Sequence, residues 1–114
     1  MPQFVLLLHD AGSFDPNMSP DQIQAIIQRY VDWKGRVQAR HQMDGHKLTD
    51  GEGRVLRGSV GSPKVTDGPY AEAREVIGGL FIVDAASYDE VVALSKDCPH
   101  LDFGTIEIRE VQPT

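Results

Sequence analysis

Hydrophobic positions fall along this chain in two rhythms. Phe4-Val5-Leu6-Leu7-Leu8 is apolar without a break and ends at His9, which predicts a strand buried on both faces. After a polar loop from Asp10 to Met18, the period changes. Ile23, Ile26, Ile27, Tyr30, Trp33 or Lys34, and Val37 recur at helical spacing. Ser19, Pro20 and Gln22 supply an N-cap, a first-turn proline and a capping box. The pattern predicts a helix to about Met43, with Gly45 as its left-handed stop. Gly35 inside it costs roughly 1 kcal/mol against Ala.

From His46 to Thr66 the chain is rich in glycine and charge, with short strand-like pieces at Arg54 to Arg57 and Lys64 to Thr66. Val76 to Asp84 is the strongest strand signal, and Gly78-Gly79 within it predicts a bulge or a close backbone contact. Ser87-Tyr88-Asp89-Glu90 is a second capping box and opens a helix to about Asp97, with Val91, Leu94 and Cys98 along one stripe. Pro99 ends it. Thr105 to Val111 alternates Ile106 and Ile108 with Glu107 and Arg109, the signature of a last strand.

Right-handed crossovers applied to this order give an α+β, ferredoxin-like split β-α-β antiparallel sheet with both helices on one face. The first strand and the Val76 to Asp84 strand are apolar on both sides, yet two helices cover only one. A second copy of the chain is the simplest cover, so the expected assembly is a homodimer with sheets face to face.

The chain has 114 residues, 40% of them hydrophobic and 25% charged, which suits one small domain with a core of its own. A net charge of −6 argues against nonspecific binding to nucleic acid or to anionic membrane. The N-terminal apolar run is too short for a membrane span or a signal core, so a cytoplasmic protein is expected. The single cysteine, Cys98, excludes an internal disulfide and a Cys-rich zinc site, and its expected role is a small buried hydrophobe.

The expected topology brings three segments to one rim of the sheet: His9, Asp67 to Tyr70, and His100 to Gly104. Two imidazoles and a carboxylate there suit general acid–base work, with Asp67 as base or orienter and His9 and His100 as proton shuttles. Tyr70 and Arg109 stand as binding residues. Each has a plainer reading. His9 is a strand end, Asp67 a turn former before Gly-Pro, His100 a helix cap, and Tyr70 a packing residue with a polar tip. His41 and His46 are separated by Gly45 and do not share a helix face as a zinc pair would, so no metal is expected. No cofactor motif is present, and no cofactor is expected.

Lys64-Val65-Thr66-Asp67-Gly68-Pro69-Tyr70-Ala71-Glu72-Ala73-Arg74-Glu75 resembles the DGPF motif of the YCII-related proteins, with Tyr70 in the Phe position. The likeness continues through Val76 to Phe81, Cys98-Pro99-His100 and Gly104 to Arg109. The opening strand and Gly45-His46-Lys47-Leu48 also fit. The resemblance implies the dimeric α+β barrel fold, shared with small ring-modifying enzymes such as muconolactone isomerase. Some members are proposed to use a His–Asp dyad whose histidine lies on the first helix. Here Trp33 or Lys34 stands near that position, and only the Asp carries over, as Asp67. Many DGPF-type proteins also occur beside or joined to extracytoplasmic-function sigma factors. Two functions follow: a cofactor-independent lyase or isomerase of a small metabolite, or a regulatory module that binds a small-molecule ligand and is associated with a sigma factor.

Overall fold

The computed structural model describes residues 1–11, 15–69 and 75–113. The elements are β1 (Gln3–Asp10), α1 (Pro20–Gln38), β2 (Met43–Lys47), β3 (Arg54–Ser59), β4 (Ser62–Asp67), β5 (Val76–Asp84), α2 (Tyr88–Ser95) and β6 (Thr105–Glu110). A one-turn 3-10 helix, Pro99–Asp102, joins α2 to β6. Strands β2-β5-β1-β6 form one antiparallel sheet in that spatial order, and β3 and β4 form a separate hairpin. The four-stranded sheet with its two helices is the split β-α-β arrangement expected, with a hairpin inserted between its second and third strands.

Both helices begin as their sequences dictate. Ser19 Oγ accepts from the Gln22 N–H at 3.1 Å, and the Gln22 side chain accepts from the Ser19 N–H at 2.8 Å. At α2, Ser87 Oγ accepts from the Glu90 N–H at 3.2 Å, but the Glu90 carboxylate reaches past the cap to the Ala86 N–H at 3.3 Å. Only half of the second capping box therefore forms.

The end of α1 differs from expectation. The helix stops at Gln38, and Met43 to Lys47 is an edge strand, not a last turn. Burial explains the change. Met43 points into the core at 3% exposure, and the Gln38 amide holds its carbonyl at 2.8 Å. Gly45 is no left-handed stop. It pairs with Phe81 across the sheet, and a Cβ on it would overlap the Phe81 ring.

The core lies between the sheet and both helices. Phe4, Leu6 and Leu8 of β1, Phe81 and Val83 of β5, and Met43 meet Trp33 and Val37 of α1, Val91 of α2 and Cys98. The Trp33 ring meets Phe81 edge-on, with centroids 5.2 Å apart, and its Nε1 donates to the Leu94 carbonyl. Trp33, not Lys34, is therefore the inward residue of that helix turn. Cys98 is buried, and burial pushes its thiol pKa up. The expected bulge is present: pairing runs Leu8 with Gly79, then His9 with Ile77, so Gly78 is the extra residue.

Directly opposed residues share a face of the sheet. The face turned away from the helices thus carries two full rows, Asp44–Ile82–Val5–Arg109 and His46–Leu80–Leu7–Glu107. A third row sets Ile77 and Thr105 on either side of His9. Ile82 and Ile77 are 37% and 41% exposed, and no helix among the described residues covers this face.

The strands of the hairpin pack chiefly on each other. It leaves Leu56, Val60 and Val65 exposed. The molecule is a slab with principal extents of 46 × 45 × 18 Å. Its radius of gyration is 16.1 Å, against roughly 13 Å for a compact chain of this length. No helix among the described residues is long and apolar enough to cross a membrane.

Candidate functional site

The end of β1 is a junction between two sets of polar groups, one on each face. On the helix side stands His100, 4% exposed in the 3-10 helix. Its Nε2 lies 2.9 Å from the His9 carbonyl oxygen and its Nδ1 3.0 Å from the Tyr30 hydroxyl. A carbonyl only accepts, so Nε2 carries a proton, and in that tautomer of the ring Nδ1 accepts from the Tyr30 O–H. Both nitrogens of this buried imidazole are engaged. Gly104 permits the approach, because a Cβ there would overlap the His9 carbonyl. Burial, with smaller contributions from Cys98 and Asp10, pushes the Tyr30 phenol up to about 12. Arg29 and Asp102 pair at 2.7 Å and tie the same 3-10 helix to α1 at the surface.

On the uncovered face His9 Nε2 lies 3.0 Å from Glu107 Oε1, a diagonal contact between β1 and β6. The side chains are 24% and 44% exposed, so the pair is partly sheltered yet open to an incoming molecule. Arg109, two residues on and on the same face, places Nη1 3.9 Å from the second Glu107 oxygen. The apolar residues Leu7 and Leu80 continue the row beside Glu107. An imidazole held by a carboxylate, next to a guanidinium and an apolar floor, can move a proton and retain an anion.

The structure brings two of the sequence candidates together but not through their side chains: His100 grips the His9 backbone, while the His9 ring turns to the opposite face. Arg109 adjoins this second group. Asp67 does not contact either histidine among the described residues. It is the last residue of β4, its side chain is 91% exposed, and its ion-pair partner is Arg54 at 3.6 Å. Tyr70 lies outside the described residues. Glu107, the partner of His9, is a residue that sequence reasoning passed over. Its signal was the alternation of β6, which puts Glu107 and Arg109 on the face that His9 shares.

His41 Nδ1 donates to the Asp84 carbonyl at 3.0 Å and stands 3.3 Å from Glu90, whereas His46 is on the outer face of β2. No cluster of three or more potential metal-ligating side chains occurs among the described residues. Two shallow clefts lie away from His9. One, about 250 Å³, is near Met1, Gln3, Asp84 and Val111, and another, about 270 Å³, is between Arg29, Arg36 and Asp97. Both are wide open, and neither contains the paired acid and base.

A family description fits this chain over residues 3–114: the YCII-related domain. The chain belongs to that family. Among curated relatives, this YCII-related domain is 38% identical over 57 residues to an uncharacterised protein of Rhizobium meliloti. The match spans 48% of this chain and 46% of that protein, so the chain accounts for about half the length of the relative. Among solved structures it is similar to 5-chloro-2-hydroxyhydroquinone dehydrochlorinase from Burkholderia phenoliruptrix, in complex with 2,5-dihydroxybenzoquinone. The TM-score is 0.48 at 16% identity, with 96% and 93% of the two chains covered. It is also similar to a protein of Arabidopsis thaliana, with a TM-score of 0.42 at 15% identity and coverage of 100% and 96%. The fold of this domain rests on its own strand order and on the family match.

Proposed function

We propose that this YCII-related domain is a cofactor-independent lyase or isomerase whose proton carrier is His9, held by Glu107. The supporting observation is the 3.0 Å contact between His9 Nε2 and Glu107 Oε1 on a face that a small molecule can reach. With Nε2–H donating to the carboxylate, Nδ1 is the atom that takes a proton. A suitable substrate has an acidic hydrogen next to a carbonyl or on a ring hydroxyl. His9 Nδ1 accepts that hydrogen, Glu107 stabilises the imidazolium formed, and Arg109 holds the oxyanion left on the substrate. Return of the proton to a different carbon completes an isomerisation. Departure of a leaving group with its bonding electrons completes an elimination, with the proton released to water.

In this reading His100 acts as a positioning residue, since it fixes the carbonyl of His9. Asp67 is assigned no proton-transfer step. The test is a thermal-shift and turnover screen of small phenolic, quinonoid and keto acids on the wild-type protein, followed by His9→Gln and Glu107→Gln. Turnover should fall at least ~100-fold in both variants, the usual weight of one general acid–base group. Full turnover in either variant would sink the proposal. A ligand that binds without being converted would point instead to a sensing or regulatory module.

A further inference from the structure

The hydrogen-bond phase of the β3–β4 hairpin decides which of its two edges is open. In an antiparallel ladder, bonded pairs alternate with unbonded ones, and a residue of an unbonded pair points its N–H and C=O away from the partner strand. The Gly68 N–H donates to the Gly53 carbonyl at 2.9 Å, so Gly53–Gly68 is a bonded pair. Along the register, Arg54–Asp67, Leu56–Val65 and Gly58–Pro63 are therefore the unbonded pairs. Pro63 agrees with this phase, because it has no N–H to give to the ladder. The outer edge of β4 thus carries a proline ring where an incoming strand needs a donor. The outer edge of β3 carries the N–H and C=O groups of Arg54 and Leu56, and no strand among the described residues pairs with it.

The side chains beside the open edge say what fits it. Leu56 and its cross-strand neighbour Val65 lie on one face of the hairpin, 60% and 55% exposed. Arg57 and Lys64 are directly opposed on the other face. From Arg54 to Asp67 the hairpin holds three cations and one carboxylate, within a chain of net charge −6. Arg54, at its base, reaches Asp67 at 3.6 Å and the Gly53 carbonyl at 2.7 Å. A second β3 laid antiparallel on this edge would gather two Arg54 and two Arg57 side chains into one short ribbon, and like charges facing across strands are destabilising. An acidic strand meets the opposite condition.

We propose that the outer edge of β3 is a docking site for an extended acidic segment of another protein, which adds to the hairpin as a third strand. Main-chain bonds run to Arg54 and Leu56. Side chains of the incoming strand point alternately to the two faces. An acidic residue opposite Arg57 and an apolar residue opposite Leu56 are then neighbours in its sequence, so the fitting ligand alternates acidic and apolar residues. The hairpin gains too, because two strands alone are marginal in water and a third shelters the flank of Leu56. The site involves neither His9 nor Glu107, and the inference stands apart from the proton-transfer reading.

The test uses the whole chain and two short synthetic peptides, one alternating glutamate with valine and one alternating lysine with valine, titrated by calorimetry. The glutamate peptide should bind at least ~10-fold tighter than the lysine peptide, and added salt should weaken it. Leu56→Pro removes an outward N–H without touching a bonded pair and should weaken binding at least ~10-fold. Val65→Pro, the same change on the closed edge, should leave binding unchanged. Amide exchange at Val55, Arg57, Lys64 and Thr66 reports whether the ladder survives each proline. Arg57→Glu keeps every main-chain donor and decides the matter if a proline melts the hairpin: it should lower the affinity for the glutamate peptide and raise that for the lysine peptide. Equal binding of the two peptides, or binding of neither, overturns the proposal. So does full binding by Leu56→Pro, or loss of binding in Val65→Pro with its ladder intact, or an unchanged peptide preference in Arg57→Glu. Self-association of the wild-type chain that Leu56→Pro abolishes would overturn it as well, because the edge would then belong to a second copy.

Discussion

His100 holds His9 by its backbone and not by its ring: His100 Nε2 lies 2.9 Å from the His9 carbonyl oxygen. The bond requires a proton on His100 Nε2, while Nδ1 of the same ring engages the Tyr30 hydroxyl at 3.0 Å. Replacing His100 by Ala orphans a carbonyl and a phenol inside the protein. The expected cost is about 2–4 kcal/mol, from the lost packing and the unpaired groups together. Urea unfolding measures it, and a variant as stable as the wild type would show that the imidazole is not the anchor described.

Tyr30 gives a prediction in pH. Its folded pKa of about 12 lies above the ordinary phenol value of 10.0. The folded state therefore keeps the proton that the unfolded state releases, and the associated stability is full below pH 10. It is lost as pH rises towards 12. Tyr30→Phe should flatten the fall in stability between pH 10 and 12 relative to wild type, read by denaturant midpoints at each pH. Parallel curves for the two proteins would contradict the burial of the phenol.

Gly104 and Gly45 are required by close approach. A Cβ on Gly104 overlaps the His9 carbonyl, which is backbone and yields little, whereas one on Gly45 overlaps the Phe81 ring, which is a side chain. Gly104→Ala should cost at least ~2 kcal/mol. Gly45→Ala should cost less, because the ring can turn away at the expense of its edge contact with Trp33. Thermal unfolding of the two variants in parallel tests the order.

Asp67→Asn separates a turn role from a site role. The Asp67 carboxylate is exposed and its partner Arg54 is 3.6 Å away. An exposed pair of this kind contributes roughly 0.5 kcal/mol or less, so the variant should unfold almost with the wild type. A loss of several kcal/mol would mean that the turn after β4 depends on the charge.

The parts of this molecule that the sequence made legible are those whose cause is local. Ser19 and Ser87 announce helices because a hydroxyl must satisfy a free N–H, and β5 announces itself because eight residues, Val76 to Val83, run without a polar side chain around a glycine bulge. β2 was hidden for the opposite reason. Met43-Asp44-Gly45-His46-Lys47 has no β-branched residue, and its strand form is imposed by partners on β5, above all by the Phe81 ring over Gly45. Long-range pairing likewise hid Glu107. Its place beside His9 depends on the register of β1 with β6, and no motif in the chain states a register. His9 and His100 lie together because β1 and β6 are neighbours, whereas Asp67 ends a hairpin that packs chiefly on itself.

The 18 Å thickness of the slab fixes what kind of site this fold can own. Among the described residues, one layer of strands and one of helices fill that depth with their own side chains, and the His9–Glu107 pair lies on the outer face of the sheet. A proton transfer of the proposed kind would be done at a wall, and what shuts water out during it would have to be the substrate itself or another molecule seated on the sheet.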